Sequence, residues 1–211
     1  TMRNIPLHLM EQDAPELTMV YFEGSDSLGH RFWLFCQPVA EIEAQLEAAG
    51  QSTAHAQTLA ERYGRVVDRY YLLLDTIIGE LVGALPPEGR VVVISDHGFG
   101  DRTLPPLPSV PYSGEHKLEG TIIVAGPGIR AGKRMVGATH YNVTPTVLDM
   151  LDIDSDLQFE ANSLLPQLTD RTDREPLGTG DQPVADEEQD PDEMPFGAEE
   201  LERLRSLGYV E

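Results

Sequence analysis

Three short polar segments hold the side chains that could take part in chemistry. In the first, Asp26 and His30 are four positions apart, a spacing that places a carboxylate and an imidazole on one face of a helical turn. The second contains Asp96 next to His97, and the third contains His116. Carboxylate oxygens and imidazole nitrogens are ligands of zinc and of manganese. The pattern therefore predicts that these five side chains bind metal.

Each segment taken alone also fits a simpler interpretation. Asp26 and His30 could belong to an ordinary solvated surface, and Asp96 could cap the element that follows it. His116 could be a solvated loop histidine. The joint placement of the three segments beside predicted strands favours the metal-binding interpretation.

Composition limits both the ligands and the partners. Cys36 is the only cysteine, so an intrachain disulfide and a cysteine-based zinc site are both excluded. The net charge of −21 and the pI of about 4.5 argue against a nucleic-acid groove, which needs a basic surface. A small phosphorylated substrate remains compatible, because bound metals would supply the positive charge. No apolar run approaches the roughly 18 residues of a membrane span, so none is predicted.

The elements that must position these residues are three predicted strands and one long helix. A short apolar run rich in β-formers predicts a strand at residues 17–23, and continuous β-branched runs predict strands at 90–95 and 121–125. Apolar residues three and four apart predict a helix over 61–85. Strand, helix and strand in this order favour an α/β fold with a mainly parallel sheet and helices on both faces. Two of the polar segments directly follow a predicted strand, at the edge where such sheets bind ligands.

The end of the chain differs in character from the rest. Residues 170–200 contain twelve acidic and two basic side chains, and several prolines. We therefore predict one domain over residues 1–167, an acidic disordered linker over 168–196 and a last helix over 197–211.

With these residues in hand, the chain resembles the type I phosphodiesterase and nucleotide pyrophosphatase family of the alkaline phosphatase superfamily. The resemblance runs from about residue 17 to residue 153 and implies an alkaline-phosphatase-like fold. It is carried by four stretches in the family's order: VYFEGSDSLGHRFW (20–33), VVVISDHGFG (91–100), GEHKLEGTIIVAGPGI (114–129) and YNVTPTVLDMLDI (141–153).

The resemblance also implies a function and a division of the ligands. Asp26, His30 and His116 would hold one divalent metal, and Asp96 and His97 would contribute to a second, with zinc preferred and manganese as the competitor. The activity implied is hydrolysis of phosphate esters through attack by a Thr or Ser on phosphorus. Bound metals would activate the attacking oxygen and stabilise charge on the leaving one.

The family's nucleophile and one further aspartate cannot be placed in these residues. We therefore expect the chain to be the C-terminal part of such an enzyme, with the N-terminal part missing. Its partner would be the upstream half of the same protein or a second chain, and this part alone would be inactive or very weak.

Three alternatives remain open at the level of the sequence. A sulfatase of the same superfamily favours calcium with oxygen ligands, which His30 and His116 fit poorly. A metal-dependent phosphomutase shares both the Asp-x-x-x-His spacing and the Asp-His pair, but its later histidine-rich segment is not found. A non-catalytic metal-binding or interaction domain is the alternative from another class, and the missing nucleophile favours it.

Overall fold

The described part of the chain comprises residues 3–102, 113–170 and 177 of a computed structural model. The chain divides into two units, Thr1–Pro127 and Gly128–Glu211. In chain order the first unit contains α1 (Asn4–Asp13), α2 (Gly24–Phe32), a 3-10 turn (Trp33–Cys36), α3 (Val39–Ala48), α4 (Ala56–Tyr63), α5 (Val66–Gly83), β1 (Val91–Ser95), β2 (Gly98–Gly100), β3 (Glu115–Lys117) and β4 (Thr121–Ala125).

The core of the first unit lies directly after α2. Leu34 and Phe35, in the 3-10 turn, pack with apolar side chains of α3 and α4. Burying such side chains contributes about 1.5–3 kcal/mol each, so this cluster anchors the C-terminal end of α2. The buried members of this cluster are Leu34, Phe35, Ile42, Leu46 and Ala56.

The long helix predicted over residues 61–85 is confirmed in its main part, as α5. The chain turns at Gly64, where an added Cβ would lie 2.6 Å from the carbonyl oxygen of Ala60 and 2.8 Å from that of Phe35. This close approach of backbone to backbone separates α4 from α5. The helix ends at Gly83, before the two prolines, as the sequence predicts.

The mainly parallel sheet predicted from the sequence is not seen in the described residues. β1 and β4 pair antiparallel, with Val91 opposite Ala125 and Ser95 opposite Thr121, and β2 and β3 also pair antiparallel. A parallel pair needs a crossover, usually a helix. The chain instead leaves β1 through β2 and returns through β3 into β4, with no helix among the described residues of that connection, so the return is antiparallel. The described residues form helices and small antiparallel sheets, which is consistent with the predicted α/β fold class.

The strand predicted at residues 17–23 is wrong. Residues 17–22 belong to no helix or strand, and the segment forms no ladder with any described strand. Met19 is 85% exposed and Tyr21 74% exposed, whereas Thr18, Val20 and Phe22 are half-buried. Such an alternation is typical of a strand. A strand also needs a hydrogen-bonded neighbour, and β1 and β4 pair with each other instead.

The second unit contains a 3-10 turn (His140–Asn142), α6 (Val143–Met150) and α7 (Leu165–Leu168). Thr146 ties α6 to the segment before α7, since its buried hydroxyl donates to the carbonyl of Asn142 and accepts from the amide of Leu164 at 2.8 Å.

The predicted domain boundaries remain predictions. Apart from residues 168–170 and 177, the linker predicted over 168–196 and the helix predicted over 197–211 lie outside the described residues. Helices on both faces of the sheet also remain a prediction. Within the described ranges, every helix is too short or too polar to span a bilayer.

Candidate metal centre

Helix α2 carries the first pair of candidate ligands. Asp26 lies in its first turn and His30 in its last, and the two side chains project from the same face, with 3.3 Å between His30 Nε2 and Asp26 Oδ1. The placement follows from the four-residue spacing, which is about one turn of helix.

The second pair lies where β1 ends and the chain turns into β2. The His97 ring points toward α2, and its Nε2 is 3.8 Å from Asp26 Oδ1. Asp96 accepts a hydrogen bond from the His97 amide at 3.1 Å, and its side chain is 77% exposed. Its Oδ1 is 3.8 Å from His97 Nε2. Asp96 therefore lies at the margin of the group.

His116 comes from a third element. It lies on β3 opposite Phe99 of β2, and its ring stacks on that of His97 with 3.9 Å between centroids. Its Nε2 is 3.0 Å from Asp26 Oδ1 and 2.9 Å from His30 Nε2. The antiparallel pairing of β2 and β3 thus brings His116 to the pair on α2.

Asp26 Oδ1 is consequently the centre of the group. It lies within 3.8 Å of the Nε2 atoms of His30, His97 and His116. Asp26, His97 and His116 each offer a ligand atom within 4.8 Å of one another. The structure therefore brings together four of the five predicted ligands, with Asp96 beside them. It does not separate them into the two sets that the resemblance implies.

The spacing of these atoms fits a divalent metal. Ligands of one zinc ion at the usual bond lengths are about 3.3 Å from one another when tetrahedral, and the distances among Asp26 Oδ1, His30 Nε2 and His116 Nε2 are 2.9 to 3.3 Å. The 2.9 Å contact between His30 Nε2 and His116 Nε2 requires a proton or a cation between the two atoms, because two lone pairs at that distance repel. His97 Nδ1 faces the carbonyl of Gly98 at 2.9 Å. Since a carbonyl only accepts, Nδ1 carries the hydrogen and Nε2 presents its lone pair.

An aromatic wall, formed by Phe99 and Trp33, supports the imidazoles. The Phe99 ring meets His30 edge-on at 5.1 Å and His116 at 5.4 Å, and it packs on Trp33 at 5.3 Å. Gly29 leaves room for it, since an added Cβ there would lie 2.8 Å from the Phe99 ring. The sequence indicated Trp33 only as core or pocket wall. It did not indicate Phe99, although Phe99 lies two positions after His97, the spacing that places two side chains on one face of an extended segment.

The wall is itself anchored at the end of β2. The Trp33 indole donates to Asp101 at 2.9 Å, and the Gln37 amide donates to the same carboxylate oxygen at 2.6 Å. These bonds connect the segment after β2 to the 3-10 turn that follows α2.

Burial lowers the pKa of His116 below its ordinary 6.5, and the neighbouring His97 lowers it further. The hydrogen bond to Asp26 opposes this effect, and His30 adds to the lowering. Burial disfavours the charged imidazolium, so the ring stays neutral into mild acid and keeps the one nitrogen lone pair of a neutral imidazole for binding.

We expect the metal-free protein to lose stability in mild acid because of this shift. Below about pH 6.5 the unfolded chain binds a proton at His116 before the folded chain does. The free energy of unfolding therefore falls as the pH drops from 6.5 through the lowered pKa, and this contribution levels off below it. Urea unfolding in EDTA between pH 7.5 and 5 measures the effect.

His116→Gln should show a smaller acid-induced drop, whereas His8→Gln, at an exposed position of α1, should behave as the wild type. Equal drops in all three proteins would contradict the assignment to His116.

The fold and the site together define a mixed helix-and-sheet protein with a histidine and aspartate cluster able to bind metal. Residues 3–106 match the family model of the type I phosphodiesterase / nucleotide pyrophosphatase family. The family predicted from the sequence is thereby confirmed for this segment, which includes Asp26, His30, Asp96 and His97 and ends before His116. The match supports phosphate-ester hydrolysis as the general activity, in a family that is typically metal-dependent. No curated protein and no solved structure matches the chain significantly.

Proposed function

We propose that this chain provides the metal-binding part of a phosphodiesterase-type or nucleotide-pyrophosphatase-type hydrolase that uses two divalent metals. One observation carries the proposal: three histidines from three separate elements direct Nε2 to within 3.8 Å of one carboxylate oxygen of Asp26. Most of these ligands lie in the segment that matches the family.

Zinc is the metal that the donor set favours, and manganese is the alternative. Asp26, His30 and His116 would form the first site, and His97 with Asp96 would contribute to the second. His97 is close enough to Asp26 for the two sites to share that carboxylate. Bound metals would supply positive charge for the phosphate oxygens and lower the pKa of an attacking oxygen.

The aromatic wall would hold the ligand side chains in position and keep water from one side of the site. His30 and His116 are braced by Phe99, and the His97 ring is stacked on His116. Nitrogen donors at three positions favour this chemistry over that of a calcium-dependent sulfatase, whose metal is held by oxygens. The substrate would be a small phosphorylated compound.

We expect added zinc or manganese to confer hydrolysis of bis-p-nitrophenyl phosphate, with little or no hydrolysis of p-nitrophenyl sulfate. The rate should lie below the roughly 1–1000 s⁻¹ of typical enzymes, because the Thr or Ser nucleophile of the family is not identified among these residues. The rate is measured from the absorbance of released p-nitrophenol at 405 nm, followed on the order of hours because the reaction is slow.

Binding of inorganic phosphate, measured by calorimetry, is the second readout. It should require the added metal and should be lost with EDTA and in Asp26→Asn. Stoichiometric metal binding without either phosphate binding or diester hydrolysis would instead identify a non-catalytic metal-binding domain. Faster hydrolysis of the sulfate ester would contradict the proposed substrate class.

A further inference from the structure

Ser113 is a buried residue next to the candidate metal centre that the proposed ligand set does not include. It is 5% exposed and directly precedes Gly114, at the start of the segment that leads into β3. Its Oγ lies 2.8 Å from His30 Nδ1 and 2.6 Å from the carbonyl oxygen of Gly114. The hydroxyl thus contacts His30 on the ring edge opposite to the one that faces Asp26.

The Ser113 hydroxyl donates its hydrogen to the carbonyl of Gly114. A serine hydroxyl has one hydrogen, and the Gly114 carbonyl can only accept, so that hydrogen points to Gly114. Ser113 Oγ must then accept the hydrogen bond from His30, which requires the imidazole hydrogen to be on Nδ1. The neutral His30 ring therefore keeps its lone pair on Nε2, 3.3 Å from Asp26 Oδ1.

We propose that Ser113 is a positioning residue, which holds His30 in the Nδ1–H tautomer and fixes the direction of its ring so that Nε2 is ready to bind metal. The inference rests on the proposed function only in what Nε2 binds. His97 reaches the same tautomer through the carbonyl of Gly98, at 2.9 Å. A backbone carbonyl cannot be removed by substitution, but the Ser113 hydroxyl can.

Loss of the hydroxyl should weaken metal binding without removing a ligand. In Ser113→Ala, His30 Nδ1 loses its acceptor, so the ring is free to adopt the Nε2–H tautomer, in which Nε2 cannot bind a cation. Removing a hydrogen-bond partner of a metal-binding histidine typically lowers metal affinity by about 10–100-fold. Ser113→Thr keeps a hydroxyl and should recover most of that affinity.

The primary experiment measures the tautomers of the ring nitrogens of His30 and His97 by ¹⁵N NMR in the metal-free protein at pH 7.5. We expect Nδ1–H for both histidines in the wild type. In Ser113→Ala we expect a mixture at His30 and no change at His97. Zinc affinity, measured by competition with a chelator, should fall by about 10–100-fold in the same variant.

Ser163→Ala is the matched control, because Ser163 is also buried and its Oγ accepts from the Leu165 amide at 3.1 Å, in the second unit. It should leave both tautomers and the zinc affinity unchanged.

An Nε2–H His30 in the wild type would overturn the inference, and this measurement needs no variant to fold. Unchanged tautomer and affinity in Ser113→Ala would also overturn it. The tautomer is read without metal, so a wild type that shows the expected tautomers but binds no zinc would contradict the proposed function and leave the role of Ser113 standing.

Discussion

Replacement of His116 by alanine is expected to lower zinc affinity by more than about 100-fold, beyond the effect of losing a hydrogen-bond partner of a ligand. His116 Nε2 lies 3.0 Å from Asp26 Oδ1 and 2.9 Å from His30 Nε2, and its ring supports that of His97. The variant therefore removes one donor and the packing that aligns a second. Competition with a chelator of known affinity measures the loss for zinc and for manganese.

Two further variants make the result specific to the site. Asp26→Asn keeps the size of the side chain but removes the negative charge, and it should reduce affinity by a similar factor, since Asp26 Oδ1 is central to the group. His8→Ala removes an exposed histidine of α1 and should leave affinity unchanged. A His116→Ala protein that retains zinc affinity within a few-fold would show that the metal binds elsewhere.

Gly120→Ala is expected to be the most destabilising small substitution near the site, by about 3 kcal/mol. An added Cβ would meet the carbonyl oxygen of Ser95 and lie 3.1 Å from its carbonyl carbon and 3.2 Å from that of Asp96. These are backbone atoms, which cannot rotate away. The pairing of Ser95 with Thr121 would have to open, and the turn that carries Asp96 and His97 would shift.

Urea unfolding of the metal-free protein measures this loss, and Gly79→Ala is its matched control. Gly79 lies within α5, and an added Cβ there meets no atom within 4 Å. Alanine at that position should stabilise the protein by about 0.5–1 kcal/mol, because glycine is a poor helix former. Similar effects of the two substitutions would show that backbone contact at Gly120 is not what limits the pairing of β1 with β4.

The Gly120 variant also links the strands to the site. If the turn after β1 shifts, His97 Nε2 moves away from Asp26, because the three atoms nearest to the added Cβ all belong to Ser95 and Asp96, next to His97. Zinc affinity measured on the folded fraction of Gly120→Ala therefore reports how much His97 contributes to binding.

The candidate ligands on α2 could be predicted from the sequence, because their geometry is local. Asp26 and His30 are separated by one helical turn, so their common face follows from spacing alone. The turn after β1 could be predicted in the same way, since Gly98 directly follows His97. Most of α5 was predicted, because its apolar residues keep a helical spacing over 18 residues.

The sheet was not predictable in the same way. Runs of β-branched residues indicate where strands lie, but they do not indicate which strands pair or in which direction. The segment at residues 17–23 has the composition of a buried strand, yet it has no strand partner among the described residues and exposes Met19 and Tyr21. Pairing depends on neighbours that are distant in the chain.

The sequence by itself determined the chemical types of the ligands, the acidic charge and the local geometry at Asp26 and His30. Only the tertiary structure decided that Asp26 is central while Asp96 stays at the margin, and which ring nitrogen of each histidine faces the site. These features depend on contacts such as His116 to Asp26, 90 positions apart, and His30 to Ser113, 83 positions apart. Contacts of that separation arise from the return of β3 along β2, which local spacing does not encode.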